Sequence, residues 1–226
     1  ALVKTHKSLL ANASHELRSP LTRIRMGLEL MGGNQPSPAF REEILRNIAE
    51  LDQLVDEILL ASRLDAREAD VGTVELVDLI GLAAEECARV DADLDVTAVP
   101  EGLEVRGVAK LLRRALRNLL ENARRYSQGD ITVVLQRHDG QAQLSVLDRG
   151  PGVPSALRER IFEPFYRLPG ASERAGGVGL GLALVRSIAQ RHNGSVRCED
   201  QPDGSGGACF VLRLPLQSPP STAAPA

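Results

Sequence analysis

Two stretches near the start of the chain carry apolar residues at the spacing of a helical seam. In the first stretch these positions are Leu10, Ala13, Leu17, Leu21, Ile24, Leu28 and Met31. In the second they are Ile44, Ile48, Leu51, Val55 and Ile58, with Ser62 in register. Alternating steps of three and four residues are typical of helices that pack lengthwise against one another. The glycines and prolines at positions 32–38 break the pattern, so we predict an antiparallel helical hairpin over residues 1–66.

The predicted hairpin does not bury enough surface to be stable alone, because each helix offers only a narrow apolar stripe. A four-helix bundle made by two chains would cover both stripes. We therefore predict a homodimer through this hairpin. The first helix begins without a capping residue, which suggests that the chain is a fragment of a longer protein.

The pattern changes after a polar stretch at residues 67–73, which we interpret as a linker. Strands are predicted at 74–76, 94–98, 103–106, 131–137, 141–147, 195–199 and 208–214, and helices at 79–90, 108–126 and 180–192. Asp139-Gly140, set between two alternating runs, is a strong hairpin signal. The mixture predicts an α+β domain over residues 74–216. The tail at 217–226 is rich in Pro, Ser and Ala, and we expect it to be disordered.

Composition excludes several classes of function. The 226 residues are 43% hydrophobic, which is ample for real cores. The 27 basic and 30 acidic residues are mixed along the chain, so no region has the charge excess of a nucleic-acid binder or of a protein that binds anionic membranes. No apolar run approaches the roughly 20 residues that span a bilayer, and no signal peptide is visible. We expect a soluble cytoplasmic chain without nucleic-acid or membrane contact.

The cysteines are odd in number and lack the spacing of metal ligands. They are Cys87, Cys198 and Cys209. We interpret them as buried thiols in a reducing compartment.

His15 is the most unusual residue of the first helix, because a proline follows it at position 20. It falls outside the seam, on the stripe that carries Arg18, Thr22 and Arg25. An exposed helical histidine without a role is the ordinary interpretation. Pro20, however, removes the hydrogen bond to the carbonyl of Glu16 and should bend the helix, at a cost of about 3 kcal/mol with no packing gain evident in the sequence. Across such a bend, Glu16 could fix the tautomer of His15 and leave one imidazole nitrogen free to attack.

The helix predicted at 108–126 has one polar face opposite its apolar face. That polar face carries Asn118, Asn122, Arg125 and Tyr126. Amide oxygens suit Mg²⁺, and a guanidinium suits phosphate, so this face could hold a metal–triphosphate. Taken alone, a solvated polar face is the simpler explanation.

One glycine-rich segment follows a predicted strand, and another precedes a predicted helix. Asp148 ends the strand at 141–147 and could accept a hydrogen bond from an exocyclic amine, while Gly150 and Gly152 would let a flat ring approach the backbone. A plain Gly-Pro turn explains that segment equally well. Gly177, Gly179 and Gly181 lead into the helix at 180–192, whose backbone N–H groups suit phosphates. The segment is neither a Walker A motif nor a dinucleotide fingerprint. Between the two, residues 162–167 precede a polar stretch at 168–175 that suits a mobile lid.

The order and spacing of these motifs resemble those of a known family. Residues 14–22, SHELRSPLT, resemble the H box of HisKA-type sensor histidine kinases. The four downstream motifs resemble the N, G1, F and G2 boxes of the GHKL (Bergerat) ATP-binding fold, over nearly all of residues 74–216. The resemblance implies that His15 is the phosphoacceptor and that Glu16 orients or deprotonates it. Ser19 stands where threonine is commoner in the family, and its hydroxyl would help to orient water for dephosphorylating the partner. Because the methyl group is missing, the strength of any phosphatase activity stays open.

The resemblance also implies the ligands of the second domain. Asn122 matches the Mg²⁺ ligand, and Asn118 matches the upstream amide of the same box. Arg125 sits where the family contacts phosphate, Tyr126 beside the adenine, and Asp148 where the family binds the adenine amine. The matching glycines are Gly150, Gly152, Gly177, Gly179 and Gly181.

The function implied is autophosphorylation of His15 with ATP and Mg²⁺, followed by transfer to an aspartate of a response-regulator receiver domain on another chain. The fragment would then be the cytoplasmic portion of an inner-membrane sensor. An ATPase of the same fold is an alternative, and it predicts an acid such as Glu121 acting on water. A dimeric scaffold that binds nucleotide only to regulate its contacts is the other alternative.

Overall fold

The computed structural model describes residues 2–30, 37–66, 71–99, 101–169, 178–204 and 206–216. The chain divides into two compact units, Ala1–Ala66 and Arg67–Ala226. Most of the predicted interhelical loop, most of the predicted linker and the predicted disordered tail lie outside the described residues. Where the chain is described, no helix has both the length and the apolar character needed to cross a bilayer.

The first unit is a helical hairpin of α1 (Leu2–Leu30) and α2 (Pro38–Asp65). Helix α2 starts where Ser37 accepts a hydrogen bond from the Phe40 N–H at 3.3 Å, with proline in the first helical position. The helices run antiparallel. Gly27 lies against the Phe40 ring, and Arg23, one turn earlier in α1, bonds to Asn47 further along α2.

The buried face of the hairpin is offset from the predicted seam. Among the described side chains, its buried positions recur by heptads in α1, at Ala13, Pro20 and Gly27, and in α2 they are Asn47, Leu54, Glu57, Ala61 and Leu64. The three α1 positions are small or compact, which allows the helices to approach closely. The expectation that Pro20 has no packing gain is therefore wrong, because it is buried on this face and packing offsets part of its cost.

Large side chains of the predicted seam remain exposed on a neighbouring face. Leu21 and Leu28 are 54% and 51% exposed, and Ile48 and Val55 are each 42% exposed. We call these four residues the outer stripe. Only part of the predicted seam is thus covered within one chain. A stripe of large apolar side chains is the kind of surface that another element normally covers.

The described part of the second unit contains a five-stranded sheet, a small two-stranded sheet and three helices. The strands are β1 (Glu75–Asp78), β2 (Asp93–Asp95), β3 (Glu104–Gly107), β4 (Thr132–His138), β5 (Gln141–Leu147), β6 (Ser195–Asp200) and β7 (Ala208–Pro215). The helices are α3 (Leu79–Val90), α4 (Ala109–Tyr126) and α5 (Gly181–Arg191), and short 3₁₀ turns occupy Ser155–Leu157 and Arg160–Phe162. The large sheet has the order β2-β4-β5-β7-β6, and the small one pairs β1 with β3.

The three helices pack against one another and against the large sheet, which gives the predicted α+β sandwich. Its core is drawn from both layers and is almost fully sealed from solvent. Examples are Leu116, Leu119, Val133, Val146, Val185 and Ile188. Alternating burial along β4, and the apolar stripe of α4, account for this arrangement, since each element turns one face inward.

Two local features show how the sequence sets the strand ends. The hairpin between β4 and β5 turns at Asp139 and Gly140, which both have positive φ (49° and 71°), as a type I′ turn requires. Strand β2 is shorter than the predicted 94–98. The Asp95 carboxylate accepts hydrogen bonds from the Thr97 N–H at 2.9 Å and from its hydroxyl at 2.7 Å, so an Asx turn ends the strand.

A buried acid joins α3 to α4. Glu86 is 2% exposed and receives two hydrogen bonds from the Arg117 guanidinium, at 2.9 and 2.8 Å. Arg113 adds a third at 3.3 Å and also binds the exposed Glu85. The hydrogen bonds from Arg117 are the largest cause that lowers the pKa of Glu86. Because both carboxylate oxygens are bonded to cations, the charge is compensated where it is buried.

A buried histidine joins α5 to the start of α4. His192 Nε2 accepts a hydrogen bond from the Val108 N–H at 3.0 Å, and Nδ1 donates to the Ile188 carbonyl at 2.8 Å. Val108 precedes α4 and has no side-chain cap, so the imidazole satisfies a backbone donor at that helix end. Burial is the main cause that lowers the pKa of His192 from its ordinary value of 6.5.

Candidate functional site

The residues singled out in the hairpin lie on consecutive turns of α1. His15 belongs to this helix, but its side chain is outside the described part of the structure. Glu16 is half-buried and Ser19 is exposed. Arg18, Thr22 and Arg25 are exposed as predicted, and α1 continues as a helix through Pro20. The bend at Pro20 stays a prediction.

The Ser19 hydroxyl belongs to a polar chain between the two helices. Arg23 donates to the Ser19 oxygen at 3.4 Å, to the Asn47 amide oxygen at 2.7 Å and to the Glu50 carboxylate at 3.0 Å. Asn47 is itself buried and bonds to the carbonyl of Glu43. Arg23 therefore connects the exposed serine to a buried residue of α2. Sequence reasoning did not single out Arg23.

In the second unit, the polar face of α4 is partly buried. Asn118 is 5% exposed, and its amide nitrogen donates to the Gly181 carbonyl at 3.0 Å. This bond joins α4 to the first turn of α5. Asn122 and Tyr126 are half-buried further along α4, and Arg125 is exposed. The polar face of α4 therefore runs from Asn118, which lies beside the start of α5, to Tyr126 at the end of α4.

Asp148 lies at the end of β5, beside the start of β7. It is 3% exposed, and its Oδ1 accepts hydrogen bonds from the Gly150 N–H at 2.8 Å and the Ala208 N–H at 3.2 Å. Its own N–H donates to the Ala208 carbonyl at 3.0 Å. The other carboxylate oxygen, Oδ2, accepts no hydrogen bond from the described residues. One acceptor atom of a buried acid is thus left for a ligand.

The predicted glycines lie where backbone segments meet. Gly150 packs against the end of α4 so closely that a Cβ there would lie 2.6 Å from the Tyr126 carbonyl oxygen. Any larger residue would push the Asp148 segment away from α4. Gly152 has a φ of +73° and lies beside Gly207, and Gly181 begins α5. Gly177 lies outside the described residues.

Two residues that flank the predicted lid at 168–175 are joined by a backbone hydrogen bond. The Phe165 N–H donates to the Gly179 carbonyl at 2.9 Å, and Phe165 has a φ of 63°. Phe162, at the base of the same segment, is 2% exposed and packs edge-on against Phe210 at 6.4 Å. The base of the segment is therefore anchored in the core.

These contacts bring together the predicted motifs of the second unit. The Asn118–Gly181 bond joins the polar face of α4 to the glycine-rich segment before α5. The Tyr126–Gly150 contact joins that face to the segment after Asp148. The assembled residues offer a buried acid for an amine, an amide face for a cation, and a helix start for anionic oxygens. Such a set suits a purine nucleotide.

Two buried residues at this site were not predicted from the sequence. Ser127, directly after α4, accepts hydrogen bonds from the Gly129 and Arg149 N–H groups, both at 3.1 Å. Gln201, directly after β6, donates from its side chain to the Asp148 carbonyl. Ser127 follows the polar face of α4 and could have been included there. Gln201 gave no signal, because its partner is 53 residues away.

The cysteines are buried thiols, as predicted. Burial raises the pKa of Cys198 to about 12 and the pKa values of Cys87 and Cys209 to about 11. They are protonated at neutral pH, which makes them poor nucleophiles.

Comparison with known proteins defines the class. Residues 5–67 match the His Kinase A (phospho-acceptor) domain, and residues 107–218 match the family of histidine kinase-, DNA gyrase B- and HSP90-like ATPases. The chain therefore belongs to the sensor histidine kinases of two-component systems. The predicted family and fold are confirmed, and the ATPase and scaffold alternatives are not favoured.

Particular relatives agree with this class. The sensor histidine kinase CpxA of Escherichia coli is 36% identical over 221 residues, which are 95% of this chain and 48% of CpxA. The histidine-protein kinase/phosphatase MprB of a Mycobacterium species is 35% identical over 222 residues, which are 92% of this chain and 43% of MprB. The chain thus spans about half the length of the curated relatives it matches.

Solved structures of relatives share the fold. A structure of mycobacterial MprB, 32% identical, superposes with a TM-score of 0.55 and covers 63% of this chain and 97% of that one. The histidine kinase ThkA, solved in complex with the response regulator TrrA, gives a TM-score of 0.71 at 23% identity, covering 93% of this chain and 61% of that one. The second likeness concerns the fold alone.

Proposed function

We propose that this chain transfers the γ-phosphoryl group of ATP to His15, and then to an aspartate of a response-regulator receiver domain. The observation that carries the proposal is the buried Asp148 carboxylate with its one remaining acceptor atom. The exocyclic amine of adenine is a donor that fits this atom, and the close approach of Gly150 to α4 leaves the backbone open to a flat base.

The residues present also fit Mg²⁺, which the family implies. Among the described residues no cluster of three or more His, Cys, Asp or Glu could hold a metal ion. We propose that amide oxygen and phosphate would hold an ion at this site. Asn118 uses its nitrogen on Gly181, which leaves its oxygen as an acceptor, and Asn122 lies one turn further on the same face. Bound by Asn122, the ion would neutralise charge on the phosphates, and Arg125 would contact a phosphate directly.

At His15, the proposed step forms a bond from an imidazole nitrogen to the γ-phosphorus and breaks the bond from that phosphorus to the bridging oxygen, which leaves with ADP. The half-buried Glu16 orients the ring and receives its proton. The phosphoryl group on nitrogen is then available to a carboxylate of the receiver domain. Most of the rate would come from positioning and charge stabilisation.

We infer that the chain acts as a homodimer and meets its regulator in trans. The outer stripe supports the dimer, because a second hairpin would cover these apolar side chains. The published complex of ThkA with a response regulator supports a partner of that kind. Since the chain spans about half of its curated relatives, we further propose that it is the cytoplasmic portion of a membrane sensor.

Incubation with γ-labelled ATP and Mg²⁺ tests the reaction. We expect label that is labile in acid, stable in base, and lost in His15→Ala. His6→Ala, in the same helix, and His138→Ala, at the exposed end of β4, are matched controls that should retain it. Label that survives in His15→Ala would contradict the phosphoacceptor. Steady release of phosphate without label, lost in Glu121→Gln, would favour the ATPase alternative.

A further inference from the structure

The Asp148–Gly150 segment is held from two sides by side chains outside the predicted motifs. Asp148 itself is fixed to β7 through Ala208. The next residue, Arg149, is held through its N–H by Ser127, and the Asp148 carbonyl is held by Gln201. These two polar side chains are 8% and 5% exposed. Both are therefore removed from water and depend on these partners.

Ser127 ties the segment to the end of α4. A hydroxyl oxygen has two lone pairs, and here the Gly129 and Arg149 N–H groups occupy both at 3.1 Å. The position of Arg149 is therefore set by the residue that directly follows Tyr126. Without the hydroxyl, two backbone donors lose their acceptor, and the segment would shift to find others.

Gln201 ties the segment to the turn between β6 and β7. Its amide nitrogen donates to the Asp148 carbonyl oxygen. Gly207, in the same turn, approaches that oxygen so closely that a Cβ would lie 2.0 Å from it. The turn thus packs on the backbone of Asp148. A shift of the turn would carry the carboxylate with it.

We propose that Ser127 and Gln201 are positioning residues that set the selectivity of this site for a purine with an exocyclic amine. This inference rests on the proposed function, since it assumes that Asp148 receives that amine. A hydrogen bond between the amine and Oδ2 requires about 2.7–3.2 Å between heavy atoms and good alignment. A displacement of the segment by about 1 Å removes that bond and leaves the contacts to phosphate in place.

Competition binding on the full chain tests the inference. The measured quantity is the ratio of affinities for ATP and for purine riboside triphosphate, which lacks the amine. We expect Ser127→Ala and Gln201→Leu each to lower this ratio at least fivefold, through weaker ATP binding, while affinity for the amine-free nucleotide stays within twofold. Ser127→Thr keeps the hydroxyl and should restore the ratio.

Matched controls exclude a general effect of mutation. Ser195→Ala and Gln190→Leu change the same residue types at exposed positions of the second unit and should leave the ratio unchanged. An unchanged ratio in Ser127→Ala and Gln201→Leu, even with a lower melting temperature, would overturn the inference. Ser127 follows α4 and Gln201 follows β6. If one of the two variants does not fold, the affinity ratio measured for the other still tests the inference. Absence of nucleotide binding by the unmodified chain would instead overturn the proposed function.

Discussion

The hairpin and the sandwich bury their side chains in opposite ways. In the hairpin, the α1 side of the buried face is built from small residues such as Ala13 and Gly27, and the large apolar residues of the outer stripe remain exposed. In the sandwich, large side chains such as Phe162 and Phe210 are sealed inside, and the acid Glu86 is buried with its arginine partners. We therefore expect the hairpin to depend on another chain, whereas the sandwich has a complete core of its own.

The largest expected effect comes from charging the outer stripe. In Ile48→Glu/Val55→Glu, two side chains that a partner would bury become carboxylates, and dimerisation should weaken at least ~100-fold. Sedimentation analysis at several concentrations measures this. Ala49→Glu, on the exposed side of the same turn, should leave the dimer unchanged. A dimer that persists in the double variant would show that this stripe is not the interface.

The next effect is on the sandwich alone. Glu86→Ala leaves Arg117 and Arg113 without their buried acid, and we expect a loss of about 3 kcal/mol in unfolding free energy. Tyrosine fluorescence reports this unit selectively, because Tyr126 and Tyr166 are the only tyrosines and the chain has no tryptophan. Glu85→Ala is the matched control, since Glu85 is 64% exposed and its pair should contribute less than about 1 kcal/mol. Equal losses in the two variants would contradict the importance of burial.

A smaller effect is the dependence of the sandwich's stability on pH. The pKa of His192 is lowered in the folded state, so the unfolded chain binds more protons just below pH 6.5. Its contribution to stability is complete above that pH and falls as the pH decreases, by up to about 1.4 kcal/mol per pH unit. Denaturant unfolding of the sandwich at pH 7.5 and 5.5 measures the fall. His192→Gln should reduce this dependence, and a pH dependence equal to that of the unmodified chain would refute the assignment.

The smallest effect concerns the exposed polar chain of the hairpin. Ser19→Ala should slow dephosphorylation of the regulator a few-fold while autophosphorylation is spared, because the hydroxyl is proposed to act on water and not on ATP. Ser19→Thr keeps the hydroxyl and is the control. Loss of both activities in Ser19→Ala would contradict this role.

The sequence predicted the sandwich better than the hairpin for a physical reason. Strands and helices such as α3 and β5 were located almost to the residue, because each buries one face against its own chain and its periodicity records that face. In α1 the apolar residues lie on two faces, one that packs against α2 and one that is exposed, and the periodicity does not distinguish them. The seam therefore included Leu21, which is exposed, and missed Pro20, which is buried.

At the candidate site, the sequence identified side chains that a ligand would meet and missed those that hold them. Asp148 and Asn118 belong to compact motifs that can be recognised from neighbouring residues. The hydrogen bonds that Gln201 donates to Asp148 and that Val108 donates to His192 join residues 53 and 84 positions apart. Single polar residues in such pairs carry no local pattern, because the fold alone brings them together.

The hydrogen bond between Phe165 and Gly179 should make the geometry of the site insensitive to the number of residues between them. Since the two ends are fixed to each other, additional residues between them would alter mainly the entropy of a closed loop. That entropy grows slowly, so doubling the number of residues would cost only about 0.6 kcal/mol. We expect the segment to accept a short peptide tag, provided that Phe165, Gly177 and Gly179 are kept.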